Sequence, residues 1–134
     1  MIKAVARRRS GYTHDVEIEG GHRLVIDEPE VAGGANQGPS PTRTLAGTLA
    51  ACTAITMEMY AERKGWDVGE VEVEVEMEYG PSSAPESFVV TLRLPNALEP
   101  EQIDRLKAIA GKCPVHRALK HETPVSIEDR VELV

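Results

Sequence analysis

Aromatic side chains are scarce in this sequence, with one Trp, one Phe and three Tyr among 134 residues. A core must therefore be built from Val, Leu, Ile, Ala and Met. Cysteine is nearly as rare. Cys52 and Cys113 are too few for a disulfide scaffold, and they are not spaced as a CxxC pair. Positive charge is outnumbered, 15 basic against 22 acidic side chains, for a formal charge of -7. That argues against nucleic acid as a general partner, because phosphate contacts need a basic face. No run approaches the ~18 apolar residues that span a bilayer. The first residues, MIKAVARRRSGYTHD, lack the apolar centre of a signal peptide. These absences together predict a soluble protein of a reducing cytoplasm, away from membranes, where a thiol pair is more apt to be reactive than structural. There is no GxSxG, no Walker A and no dinucleotide GxGxxG; Gly20-Gly21 and Gly33-Gly34 read as turns.

What is present is ordinary for a globular chain, 41% hydrophobic and 28% charged. The length suits a single domain, 1–134, which buries roughly two-thirds of its unfolded surface without staples. Residues 16–19 alternate apolar and acidic, Gly20-Gly21 turns the chain, and 22–26 resume an extended run. That predicts a hairpin, with a further strand in 2–8. Residues 28–40, rich in Gly, Pro, Asn and Ser, read as a loop long enough to line a site. Ser40-Pro41 starts a helix that Gly65 ends, spanning 41–64 and roughly 36 Å long. It carries almost no charge between Arg43 and Glu58, so it is expected to be buried on nearly all sides. Val71, Val73, Val75 and Met77 alternate with Glu72, Glu74, Glu76 and Glu78. This predicts a half-buried strand with a solvated acidic face rather than a cation site. A strand at 87–94, helices at 100–111 and 114–121, and a last strand at 125–134 complete an α+β chain with a largely antiparallel sheet.

The chemistry rests on two cysteines. By composition Cys52, flanked by Ala50, Ala51, Thr53 and Ala54, reads as a small core residue. Cys113 stands at the N-cap of a helix whose first residue is Pro114. The unpaired amides and positive dipole end there favour a thiolate, with His116 and Arg117 close by. On helix electrostatics alone Cys113 is the more reactive thiol; its plain alternative is a cysteine tucked beneath a helix junction. Cys113-x-x-His116 is only half of a zinc motif, so no metal is expected.

The segment GPSPTRTLAGTLAACTAITMEMYAERKGW, together with KCPVHRAL, resembles the OsmC/Ohr family of peroxide-reducing proteins, and its OsmC-like branch most closely. The resemblance covers nearly the whole chain. It implies an OsmC-like fold, antiparallel sheets around a long central helix, in an intertwined homodimer with active sites at the subunit interface. It also implies a thiol peroxidase that needs no metal, haem or flavin and prefers organic hydroperoxides. In that family the cysteine of the long helix is oxidised to a sulfenic acid, the second cysteine condenses with it, and an external dithiol, a small thiol or a lipoyl-type protein, reduces the disulfide. Those roles fall on Cys52 and Cys113, which reverses the ranking from helix electrostatics.

The chain departs from the family where the peroxidatic thiol is activated by an arginine of the N-terminal sheet and a glutamate at the start of the long helix. Thr42 stands where the glutamate is expected, and the region of His14 where the arginine is expected. Arg43, Arg9, His14 and His116 are the candidate activating groups, with Arg7 and Arg23 as further cations. Arg43 lies roughly 13 Å along the helix from Cys52, so it could serve only across a dimer. Two other readings remain: a non-enzymatic dimer that binds a small hydrophobic ligand or senses oxidation, and an acyl-transfer enzyme built on Cys113-x-x-His116.

Overall fold

The structure, a computed structural model, describes residues 1–134. Five strands and three helices follow in the order β1 (Ala4–Ser10), β2 (Thr13–Ile18), β3 (His22–Ile26), α1 (Pro41–Lys64), β4 (Glu72–Tyr79), β5 (Pro85–Arg93), α2 (Pro100–Ala110) and α3 (Pro114–Leu119). The architecture is α+β, with an antiparallel β1-β2-β3 sheet, a β4-β5 pair and one long helix. No helix is long and apolar enough to cross a membrane. The chain divides into two compact units, residues 1–47 with 77–88, and residues 48–76 with 89–134.

In the first unit β1 pairs with β2, and β2 with β3 around Gly20-Gly21, placing Ile18 opposite His22 and His14 opposite Ile26. Both turn glycines have positive φ, 104° and 87°, which a side chain would resist. The expected loop after β3 contains a short 3-10 turn at Glu30–Ala32. Asp27 organises it, although its side chain is only 1% exposed in relative terms. Its carboxylate accepts hydrogen bonds from Thr13 Oγ1 at 2.7 Å, the Glu28 amide at 2.7 Å and the Gln37 amide at 3.1 Å. The loop passes so close to β3 that a Cβ at Gly38 would overlap the carbonyl of Val25.

The long helix begins and ends where the sequence predicts. Ser40 Oγ accepts from the Arg43 amide, Pro41 needs no amide partner, and Gly65 closes the helix with φ of 71°. Its burial differs from expectation. Leu49, Thr53, Met57 and Ala61, spaced by four, are buried, whereas Ile55 and Met59 remain exposed. A single copy of the chain covers one stripe of α1 and leaves the other bare.

The second unit holds the main core. Met57 and Ala61 of α1 pack with Val68, Leu106 and Ala110, and Trp66, Val73, Leu92 and Leu98 surround them. The acidic strand is as expected: Val73, Val75 and Met77 are half-buried and their Glu neighbours exposed, with Arg93 bridging Glu72 and Glu74 at 2.7 and 3.1 Å. Helix α2 opens with the Glu99 amide donating to Gln102 Oε1 at 2.9 Å. The strand expected at 125–134 does not form. Val125, Ile127, Val131 and Leu133 are exposed, and no strand of the chain pairs with them. Alternation assigns two faces to a segment but does not supply an edge to pair with.

Candidate functional site

Helix α1 and the cap of α3 bring Cys52 and Cys113 close enough for each thiol to feel the other, both as free thiols. Cys52 is half-buried, whereas Cys113 has no exposed surface at all. Position 53, next in sequence to Cys52, lies on the buried stripe of α1. There the Thr53 hydroxyl donates to the Leu49 carbonyl at 2.8 Å and sits 3.8 Å from Cys113 Sγ. Cys113 caps α3 as expected, its sulfur accepting from the His116 amide at 3.2 Å.

The electrostatic result at Cys113 is opposite to the expectation drawn from its cap position. Burial pushes its thiol above the ordinary cysteine range, and the neighbouring Cys52 thiol pushes the same way. The His116 amide and the Thr53 hydroxyl pull it down by less. Desolvation of the charged form outweighs one capped amide at the mouth of a six-residue helix. The open thiol of the pair is Cys52.

The candidate activating groups separate into two sets. His116 belongs to the same compact unit as the cysteines, and its Nδ1 is buried without a hydrogen-bond partner in the chain. Arg9, His14 and Arg43 belong to the other unit. Arg9 is committed to Asp15 by two hydrogen bonds, which hold the carboxyl below its usual range. Arg7 and Arg23 both engage Glu17. His14 Nδ1 meets the Tyr12 carbonyl at 2.9 Å, so in the neutral ring Nδ1 carries the proton and Nε2 accepts. The ring lines a cavity of about 560 Å³ with Tyr12, Val16, Ile26, Asp27 and Pro41. Arg43 is exposed in the first turn of α1. Thr42 Oγ1 is tied to the Tyr79 hydroxyl at 2.6 Å. Sequence reasoning did not find Thr53, Tyr79 or Asp27. Only the buried four-residue spacing of α1 signals Thr53, and nothing in the sequence signals a partner 37 residues from Thr42. No three His, Cys, Asp or Glu side chains converge as a metal centre requires.

A family model described as OsmC-like protein matches residues 34–128. Solved structures share the fold at low identity. A protein of Psychrobacter arcticus, described as an osmotic stress induced and detoxification response protein, superposes with a TM-score of 0.81 at 18% identity, covering 88% of each chain. The organic hydroperoxide resistance protein OsmC of Legionella pneumophila gives 0.66 at 23% identity over 90% of each chain. The organic hydroperoxide resistance protein OhrB of Bacillus subtilis gives 0.62 at 22% identity, covering 90% of this chain and 91% of its own. No curated protein matches the sequence significantly.

Proposed function

The chain belongs to the OsmC-like protein family, and from that premise we propose that it is a thiol peroxidase reducing organic hydroperoxides. The observation that carries this reading is the pairing of a half-open Cys52 with a fully enclosed Cys113. A hydroperoxide can reach only the first. The Cys52 thiolate attacks the terminal peroxide oxygen, the O–O bond breaks, the alcohol leaves, and Cys52 becomes a sulfenic acid. Cys113 then attacks that sulfur, water departs, and a Cys52–Cys113 disulfide remains. An external dithiol, a small thiol or a lipoyl-type protein of the reducing cytoplasm, restores both thiols. The cycle calls on no metal, haem or flavin. The organic hydroperoxide resistance proteins among the structural relatives agree with this substrate class.

The active form is a homodimer in this proposal. Ala51, Ile55 and Met59 form an exposed apolar stripe on α1 opposite its buried one, and a second copy is the partner that would cover it. Thiolate activation then falls to a cation other than an arginine held by glutamate, since Thr42 is engaged with Tyr79. Arg43, which carries no carboxylate partner, is the candidate from the second copy. A second reading, binding of a small hydrophobic ligand without turnover, draws on the largely apolar cavity beside His14.

The test is consumption of cumene hydroperoxide by the reduced protein with a dithiol. Two thiols per chain are expected to disappear on oxidation, and peptide mapping is expected to recover a Cys52–Cys113 disulfide. Cys52→Ser is expected to abolish turnover. Turnover in that variant at the wild-type rate would end the peroxidase reading, and an unchanged thiol count after peroxide would favour ligand binding.

A further inference from the structure

One titratable atom beside the thiols has no task in that cycle. His116 Nδ1 is buried and meets no hydrogen-bonding group of the chain, a costly state for a ring nitrogen. The ring lines a cavity of about 160 Å³ together with Thr53, Val90, Leu92, Lys107 and Gly111. That volume accommodates several waters. Thr53 joins this cavity to the thiols, because its hydroxyl also lies 3.8 Å from Cys113 Sγ. The His116 amide holds the same sulfur at 3.2 Å. Of the side chains lining the cavity, an imidazole alone both takes up and returns a proton near neutral pH.

We propose that His116 is the proton acceptor for Cys113 in the disulfide-forming step, with its Nδ1 reached through water in this cavity. The inference rests on the peroxidase reading. As Cys113 Sγ attacks Cys52 Sγ, the S–H proton passes to His116. The S–S bond forms, the S–O bond of the sulfenic acid breaks, and the departing hydroxide takes the proton back from the imidazolium as water. Cys113 is oxidised, the Cys52 sulfenic acid is reduced to the disulfide level, and no further oxidant enters. Burial that holds the Cys113 thiol protonated makes such an acceptor necessary. Lys107 of α2 is the other titratable side chain lining the cavity, Cys113 and Arg117 flank His116 on its own segment, and β5 contributes only Val90 and Leu92.

The experiment mixes reduced wild type, His116→Asn and His116→Gln with one equivalent of cumene hydroperoxide. Dimedone traps the sulfenic acid, and mass spectrometry counts the disulfide over time. Circular dichroism establishes that each variant is folded. Sulfenic acid is expected to form equally fast in all three. Its conversion to disulfide is expected to slow by about a hundredfold in both variants at neutral pH. The wild-type conversion is expected to fall as the medium is acidified and the imidazole takes up a proton, and to level off once the ring is neutral. The variants, left with only the small thiolate fraction of Cys113, should rise steadily with pH without levelling off, and added imidazole should partly restore their rate. Equal conversion rates in the variants would overturn the proposal. So would slower conversion with the wild-type pH profile intact, which marks a structural role, or a wild-type rate that does not change with pH. No trapped sulfenic acid in the wild type would instead bring down the peroxidase reading, and this inference with it.

Discussion

At the scale of single residues, Asp27 shows how a buried carboxylate holds a loop. Three donors point at it, and the Thr13 hydroxyl is the strongest of the influences that hold its carboxyl below the usual range. A carboxyl with a lowered folded value contributes stability that is complete above its unfolded value, about 3.9, and is lost as the pH falls through the folded one. Asp27→Asn is therefore expected to melt at a lower temperature than wild type at pH 7. The difference should shrink as both are acidified below about pH 4. A constant gap between the two melting curves from neutral to acid pH would contradict this account. The sequence showed the loop by its Gly, Pro and Asn content but not its anchor, because the donors come from residues 13, 28 and 37, brought together only by the fold. The two cysteines were legible through the motifs around them. The state of Cys113 was not, because helix position can be read along a chain and desolvation cannot.

At the scale of elements, local chemistry wrote the boundaries. The Ser40-Pro41 start and the Gly65 stop of α1, and the alternation of β4, needed no tertiary information. The strand expected at 125–134 failed for the opposite reason: a strand needs a partner edge, and its own residues do not encode one. Energetics should follow the same division. Leu106 on α2 is fully buried among Met57, Ala61 and Val68. Leu106→Ala is expected to lower unfolding free energy by about 2–5 kcal/mol in denaturant titrations. Ile127→Ala, at an exposed position, is expected to change it by about 0.5 kcal/mol or less. A comparable loss at both sites would mean that the terminal segment is packed in solution.

At the scale of the whole molecule, the bare stripe on α1 is the feature that composition anticipated only in part. A helix with so few charges was expected to be covered all round, and one chain covers the Leu49, Thr53, Met57 and Ala61 side alone. The proposed homodimer predicts that the protein sediments as two copies. Ile55→Asp with Met59→Asp should convert it to monomers, because two carboxylates in an apolar contact would be desolvated without partners. Dimers persisting at micromolar concentration in that double variant would assign the contact to another face.

The complete enclosure of Cys113 makes it a built-in clock for local opening. An alkylating reagent in solution modifies Cys52 directly, but it reaches Cys113 only when the α2–α3 junction opens. With opening and closing fast relative to alkylation, the rate at Cys113 divided by the rate in the denatured chain is the fraction of time this junction spends open. Followed along a denaturant series, that fraction separates opening confined to the junction, which denaturant barely affects, from global unfolding, which it promotes steeply.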